Sequence, residues 1–180
     1  MNKFILFLLF SLTLSTNLRK LERLNWDAFY TELVDTHNKL RAKHGLGPLT
    51  KEKKLESYAK ETANDSLIAG TLKYGNQYRK GEFYGINLYI GSGTAHTGKY
   101  IAEYWYSENV YYNYAIGSSK NGATVSHFTQ IVWKTTQKIG CAVSIGRWKI
   151  YKESYYICCY YHPGGNLAGL YTKNVLKPKL

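Results

Sequence analysis

Residues 126–141 constrain the fold of this chain more than any other stretch. The first part, 126–136, places a histidine, two aromatic residues and a short apolar run within one or two helical turns. The second part, 138–141, is typical of a strand and ends in a cysteine. The sequence therefore predicts a short helix that is followed at once by a strand, and the rest of the chain has to pack around this pair.

The overall composition is that of one globular domain. The chain has 180 residues, of which 44% are hydrophobic and 20% are charged, so it can build a core and is not expected to be disordered. Tyrosine is abundant, with 18 residues. Because a tyrosine ring packs while its hydroxyl stays in water, this number indicates an architecture with many half-buried side chains.

The first 17 residues have the pattern of a secretory signal peptide. Lys3 supplies a positive charge, the apolar run 4–14 is too short to span a bilayer, and small or polar residues follow it at 15–17. The alternatives are an uncleaved membrane anchor or a buried terminal helix. We expect a signal peptide at 1–17, a single domain at 18–180, and a secreted, extracellular protein.

The formal net charge of +12 limits the choice of partners. A basic protein in the secretory route meets anionic lipid headgroups, glycans and acidic proteins before it meets nucleic acid. A charge excess of this kind is also explained by solubility alone. Nucleic-acid binding is not expected, because no segment has a recognised nucleic-acid-binding signature.

Periodicity and end signals predict three further helices and three strands. The first helix begins after Asn25 and stops at Gly45, and the second begins after Thr50 as its N-cap and stops at Gly70. A third helix is predicted at 99–110, a short strand at 85–90, and an antiparallel pair of strands at 140–145 and 154–161.

Two histidines and one glycosylation sequon fall in these predicted helices. His37 lies on the apolar face of the first helix, and His44 lies just before Gly45, so packing or capping is a better interpretation for both than ligand binding. Asn64 begins an Asn-Asp-Ser sequon inside the second helix, and the sequence does not decide whether it carries a glycan.

The three cysteines predict one disulfide and one free thiol. Cys158 and Cys159 are neighbours on a strand, so their side chains point to opposite faces and only one of them meets Cys141. The strand register decides which one. The bond stabilises the fold by about 3 kcal/mol on the chain-entropy model, and the remaining cysteine is expected to be a small buried hydrophobe. A zinc site is not expected, because there is no second paired cluster.

The segment at 126–133, Ser-His-Phe-Thr-Gln-Ile-Val-Trp, and the later Gly140-Cys141 resemble the signature of the CAP superfamily, which contains cysteine-rich secretory, antigen 5 and pathogenesis-related 1 proteins. The usual form begins with Gly in place of Ser126. Residues 158–166, Cys-Cys-Tyr-Tyr-His-Pro-Gly-Gly-Asn, resemble the second signature, with Cys159 for an Asn and one extra residue in the turn. The resemblance covers about 30–170. It implies an α+β fold, a three-layer α-β-α sandwich with a central, mainly antiparallel sheet, and a Cys141–Cys158 disulfide.

The resemblance also implies a cleft lined by two histidines and two glutamates, which hold a divalent metal in many family members. His127 matches one histidine, and Glu108 matches the glutamate of a Trp-x-x-Glu helix. Ile86 stands in place of the second glutamate, and Tyr74 is the nearest match to the second histidine. We expect no metal and no cofactor, with His127 and Glu108 as weak candidates only. Glu82 and His96 are the alternative candidates to replace the missing ligands.

The resemblance implies a secreted, non-catalytic protein that binds an extracellular ligand or partner. That partner is a lipid or sterol, an extracellular protein or an anionic glycan, and peripheral membrane contact is included. The candidate lipid contacts are Tyr104, Tyr106, Tyr111, Tyr112 and Tyr114. The alternative is a metal-dependent hydrolase, or a serine-type one in which Ser107 or Ser126 would join His127 and Glu108.

Overall fold

The structure is a computed structural model, and it describes residues 25–92, 96–148 and 151–179. The predicted signal peptide at 1–17 lies outside the described residues. Within the described part of the chain, no helix is long and apolar enough to cross a membrane.

Helices and strands alternate along the chain. In chain order they are α1 (Trp26–Lys43), β1 (Thr50–Lys51), α2 (Lys53–Ala69), β2 (Tyr78–Arg79), β3 (Glu82–Phe83), β4 (Gly85–Ser92), α3 (Gly98–Tyr106), a 3₁₀ helix (Ser107–Tyr111), β5 (Tyr112–Asn113), β6 (Ser118–Ser119), α4 (Ser126–Ile131), β7 (Lys138–Trp148), β8 (Tyr151–His162) and α5 (Tyr171–Asn174).

The main sheet has four strands in the order β1-β7-β8-β4. The short β1 pairs with β7 in parallel, whereas β7 with β8 and β8 with β4 are antiparallel. The predicted antiparallel pair is therefore confirmed, although both strands are longer than predicted. β2 with β3 and β5 with β6 form two small separate ribbons.

The sheet separates two hydrophobic clusters, one on each face. On one face α1, α3 and α4 contribute residues such as Leu33, Trp105 and Phe128, which are fully buried. On the other face α2 contributes Leu55 and Ala59. Because successive strand residues point to opposite faces, β8 supplies both clusters in alternation. The predicted α-β-α sandwich is confirmed.

The first helix has the ends that the sequence predicts. The side chain of Asn25 accepts a hydrogen bond from the backbone N–H of Ala28 at 3.1 Å, which satisfies one of the free donors of the first turn. His44 is the C-cap, and Gly45 follows with a φ of 70°, which a glycine adopts without strain. His37 and His44 are both buried, as the packing interpretation requires.

The predicted start of α2 was wrong. Thr50 is not its N-cap but lies in β1, opposite Lys138 of β7, and Glu52 takes the N-cap position without a side-chain hydrogen bond. The parallel pairing joins segments that are far apart in sequence, so no local sequence pattern predicts the strand β1. Gly70 ends α2 in the left-handed conformation, as predicted.

The predicted Cys141–Cys158 disulfide was also wrong. Cys141 is bonded to Cys159, and the Cα atoms of these two residues are 4.1 Å apart. The register places Cys141 directly opposite Cys159, whereas Cys158 lies opposite Ala142 and points to the α2 face. Cys158 is a free, fully buried cysteine, and burial raises the pKa of its thiol well above the usual value.

A buried arginine holds the segment that follows α4. The guanidinium of Arg41 donates to the carbonyl oxygens of Ile131 at 2.8 Å, Trp133 at 2.9 Å and Thr136 at 2.9 Å. A fourth bond goes to the carbonyl of Gly47. Carbonyl groups after the end of a short helix need donors from elsewhere in the fold, and by donating to three of them Arg41 fixes the path from α4 into β7.

Candidate functional site

The two signature segments form one hydrogen-bonded unit. The backbone N–H of Gly165 donates to the side-chain oxygen of Gln130 at 2.8 Å, and the hydroxyl of Thr136 donates to the carbonyl of Pro163 at 2.8 Å. The side chain of Asn166 donates to the carbonyl of Ser126 at 2.9 Å. These bonds attach the turn after β8 to α4, and they set the position of His127 at the start of that helix.

His127 and Glu108 are in direct contact, as the resemblance implies. The Nδ1 atom of His127 lies 2.6 Å from Oε1 of Glu108. The other oxygen, Oε2, accepts from the backbone N–H groups of His127 at 2.9 Å and Phe128 at 3.1 Å. Val125, the N-cap of α4, offers no side-chain bond, so the carboxylate of Glu108 caps this helix from a different element.

The surroundings of His127 fix the orientation of its ring. Trp105 stacks on the imidazole at 6.0 Å between ring centroids, and the indole N–H of Trp105 donates to the carbonyl of Leu88 on β4. Asn87, also on β4, donates to the backbone carbonyl of His127 at 3.2 Å. Since Nδ1 donates to a carboxylate, Nε2 is the ring atom that remains for any other partner.

The structure does not bring the other two candidate positions into this contact. Ile86 is buried in the hydrophobic cluster on the α2 face of the sheet. Tyr74 is 65% exposed and lies beside Gly75, which packs against Thr62 of α2. Only His127 and Glu108 of the four predicted cleft residues therefore meet.

Neither of the alternative candidates, Glu82 and His96, contacts this pair in the described structure. Glu82 accepts from Lys54 at 3.1 Å and from the hydroxyl of Tyr84, and it lies 3.6 Å from Nε2 of His162. His96 stacks on Tyr100 with 4.1 Å between ring centroids. Both side chains thus have partners on other elements.

The donor set does not fit a divalent metal. Among the residues that the structure describes, no group of three or more His, Cys, Asp or Glu side chains is close enough to hold a metal ion. Moreover, both oxygens of Glu108 already accept hydrogen bonds, and a metal would have to compete with them. A metal site usually needs three or four protein ligands of suitable geometry, and this pair supplies one free nitrogen.

A serine nucleophile is also missing from the contacts of His127. The hydroxyl of Ser107 donates to the carbonyl of Tyr104 at 2.7 Å. Ser126, at the start of α4, uses its carbonyl to accept from Asn166. The hydrogen bond between serine and histidine that a triad requires is not formed by either serine in the described structure.

The candidate lipid-contact tyrosines divide into exposed and buried ones. Tyr104 is 53% exposed and Tyr111 is 45% exposed. Tyr112 is buried against Phe128 in the core, and Tyr114 packs edge-to-face on Tyr112. The hydroxyl of Tyr106 donates to Nε2 of His44 at 2.9 Å. Only Tyr104 and Tyr111 therefore offer their rings freely to solvent.

The sequence interpretation missed two neighbours of these tyrosines. Tyr100 is 43% exposed and Val110 is 58% exposed, on the same helical segment as Tyr104 and Tyr111. Tyr100 and Tyr104 stand one helical turn apart and their rings stack with 6.2 Å between centroids. The four-residue spacing of Tyr100 and Tyr104 is visible in the sequence, but it indicates only that their side chains are neighbours on a helix and not that both are exposed.

A match to a protein family covers most of the described chain. The model of the cysteine-rich secretory protein family, abbreviated CAP, matches residues 34–161. Among solved structures, the crystal structure of MpPR-1i superposes with a TM-score of 0.61 at 18% sequence identity and covers 84% of this chain and 97% of that chain. At this identity the likeness concerns the fold.

Two curated proteins are similar in sequence. The Golgi-associated plant pathogenesis-related protein 1 of Homo sapiens is 34% identical over 153 residues, which are 84% of this chain and 94% of that protein. Secreted protein RBT4 of Candida albicans is 34% identical over 164 residues, but the match spans only 41% of its length. With the family model, the signature residues and the fold in agreement, this chain belongs to the cysteine-rich secretory protein (CAP) family.

Proposed function

We propose that this chain is a non-catalytic extracellular CAP protein that binds lipid through an aromatic patch. We define the aromatic patch as Tyr100, Tyr104, Val110 and Tyr111. These four side chains lie on α3 and the 3₁₀ helix that continues it. Their exposure, between 43% and 58%, is the observation that carries the proposal.

The chemistry of the aromatic patch suits a lipid surface. Tyrosine presents an apolar ring and a polar hydroxyl, which match the boundary between acyl chains and headgroups. Each exposed large apolar side chain alone would be unremarkable, but four of them on one continuous helical segment favour an interaction surface. The core beneath, with Trp105 and Phe128 fully buried, holds this segment rigid.

The non-catalytic part of the proposal is supported by the bonds of Glu108. Its carboxylate caps α4 and orients His127, so a structural role accounts for both residues. An extracellular location is supported by the pattern of residues 1–17, by the Cys141–Cys159 disulfide and by the name of the secreted relative RBT4.

Flotation with lipid vesicles tests the lipid-binding proposal. The mature protein is mixed with phosphatidylcholine vesicles, with and without cholesterol, and the floating fraction is measured. We expect the wild type to float and the variant Tyr104→Ser/Val110→Ser/Tyr111→Ser to lose at least about tenfold in affinity, since each side chain contributes about 1 kcal/mol or more on burial.

A matched control uses three exposed apolar residues elsewhere. Ile68, Tyr74 and Tyr78 are 84%, 65% and 68% exposed and belong to α2, the loop after it and β2. The variant Ile68→Ser/Tyr74→Ser/Tyr78→Ser should float like the wild type. Equal floating fractions for the two triple variants, or no flotation of the wild type, would contradict the proposal.

A hydrolase is the second candidate, because His127 has the tautomer and carboxylate partner of a general base. Zinc titration by calorimetry and ester hydrolysis by the wild type and His127→Gln separate the two functions. We expect no stoichiometric zinc uptake and equal background hydrolysis. Tight zinc uptake, or hydrolysis that depends on His127, would support the enzyme instead.

A further inference from the structure

The positive charge of the chain is concentrated in its second part. Residues 109–180 contain nine lysines and arginines but a single acidic residue, Glu153. The remaining acidic residues precede position 109, where they are mixed with a similar number of basic residues. A basic surface free of acidic neighbours is therefore expected wherever the later segments come together.

The fold brings several of these lysines beside the end of α1. The segment after α5 runs across the molecule, because the N–H of Lys134 donates to the carbonyl of Asn174 at 3.0 Å and Trp133 forms a β-bridge with Val175. Farther along, the N–H of Lys179 donates to the carbonyl of Lys43 at 2.7 Å. We call the resulting surface the lysine strip, and it consists of Lys39, Lys43, Lys134, Lys173, Lys177 and Lys179.

The lysine strip is fixed in place rather than carried on a mobile tail. Nδ1 of His44 lies 2.6 Å from the carbonyl oxygen of Leu176, and burial lowers the pKa of His44, so this ring stays neutral and donates. The side chain of Lys179 lies over Gly45, where a Cβ atom would meet its Cε at 2.2 Å. Because the backbone of this segment is already held against the fold, only the lysine side chains have to be ordered on binding.

A favourable position at the end of α1 explains only two of the six lysines in the strip. Lys43 and Lys179 lie at the end of α1, where positive charge is favourable for the helix dipole. Lys134, Lys173 and Lys177 are exposed, and among the described residues they have no carboxylate partner. Their side chains are available to a ligand.

The shape and polarity of the strip select the class of ligand. Residues 173–179 span up to about 20 Å when extended, which suits a linear chain of anionic groups. Among the exposed large apolar side chains of the described structure, one, Leu170 at 38%, borders the strip, and none falls in 39–47 or 171–179. A bilayer surface is usually bound by lysines together with inserted apolar groups, whereas a soluble polyanion needs only the charges.

We propose that the lysine strip is a binding site for a sulfated polysaccharide. Sulfate groups along one such chain would pair with successive lysines, which act as compact point charges with three donors each. The lysine strip shares no residue with the aromatic patch, and its proposed role does not depend on lipid binding.

Calorimetry with heparin, a sulfated polysaccharide, at a series of NaCl concentrations tests the lysine strip. We expect Lys134→Gln/Lys173→Gln/Lys177→Gln to weaken binding by at least about tenfold at physiological salt. The slope of log Kd against log salt should fall by about three, because each lysine removed releases about one counterion fewer.

Two matched variants control for charge and for folding. Lys53→Gln/Lys73→Gln/Lys80→Gln removes the same charge from exposed positions in and after α2, and it should stay within about twofold of the wild type if local geometry matters more than net charge. The arginine variant Lys134→Arg/Lys173→Arg/Lys177→Arg should keep binding.

Three results would overturn the proposal. They are absence of heparin binding by the wild type at physiological salt, equal weakening in the two glutamine variants, and loss of binding in the arginine variant. Binding to phosphatidylserine vesicles is measured in parallel, as the test of a membrane ligand. If the strip variant loses vesicle binding and keeps heparin binding, the surface recognises membranes and the polysaccharide assignment is wrong.

Discussion

At the residue scale, His37 shows how a buried polar side chain is satisfied in this fold. Its Nδ1 donates to the carbonyl of Leu33 at 2.7 Å, and its Nε2 accepts from the hydroxyl of Tyr161 at 2.9 Å. The carbonyl can only accept, so the tautomer is fixed. Burial lowers the pKa of His37 from 6.5 to about 4, because the charged imidazolium would lose its hydration.

This pKa shift predicts a specific loss of stability in acid. Between pH 6.5 and about 4, the unfolded chain binds a proton at His37 and the folded chain does not. The free energy of unfolding therefore falls as the pH is lowered through this window, by about 3 kcal/mol from this group, and is unaffected by it at lower pH. Urea unfolding at several pH values measures the effect.

The control for this prediction is His37→Gln, which does not titrate. The wild type should lose about 3 kcal/mol more than the variant between pH 7 and pH 4. Parallel stability curves for the two proteins would show that the folded-state pKa of His37 is close to the unfolded value.

At the element scale, α4 depends on a cap from outside its own segment. Glu108→Gln replaces a carboxylate that accepts three hydrogen bonds by an amide that offers one oxygen and two donors. We expect the free energy of unfolding to fall by about 1–2 kcal/mol. Amide hydrogen exchange at His127 and Phe128 should accelerate in the same variant.

Glu103→Gln is the matched control for the cap. Glu103 lies on the preceding helix, is half-exposed, and forms only a surface ion pair with Lys99 at 3.9 Å. This change should alter stability by no more than about 0.5 kcal/mol. A similar loss in the two variants would mean that Glu108 contributes charge rather than a cap.

The elements were predictable where their signals are local. Asn25 and Gly45 predict the two ends of α1, and the pattern at 126–141 predicts α4 and β7. β1 was not predictable, since a two-residue parallel pair leaves no periodicity to detect. Residue alternation shows that Cys158 and Cys159 face opposite ways, but the register that joins Cys159 to Cys141 is a property of the assembled sheet.

The candidate site was predictable in part for the same reason. His127 and Glu108 were found because each lies in a sequence signature, and in the structure their side chains are in contact. The use of both oxygens of Glu108 could not be predicted, because it depends on where the 3₁₀ helix meets the start of α4. Exposure of Tyr100 and Val110 likewise follows from how α3 packs, not from its composition.

At the scale of the whole molecule, most of the outer edge of β7 has no neighbouring strand among the residues that the structure describes. β1 pairs with β7 only at Lys138 and Ile139, and β7 continues to Trp148. The amino group of Lys60, on α2, donates to the carbonyl of Val143 at 3.0 Å on this strand. An edge-blocking lysine of this kind prevents pairing with a second chain.

Replacing Lys60 should therefore promote self-association. Lys60→Met keeps the length of the side chain but leaves the carbonyl of Val143 without its donor. We expect the variant to form dimers or larger species at concentrations where the wild type has a smaller mass, measured by size-exclusion chromatography with light scattering. Lys53→Met, at the start of the same helix, is the control, and equal masses for all three proteins would contradict the blocking role.

The cap that Glu108 provides has a consequence for comparing members of this family. The carboxylate of Glu108 is needed to cap α4, whatever chemistry takes place beside it. A chain of this fold can therefore keep a histidine and a glutamate in contact without using them to hold a metal. The presence of this pair in another member is then no evidence of metal binding, which has to be argued from further ligands beside it.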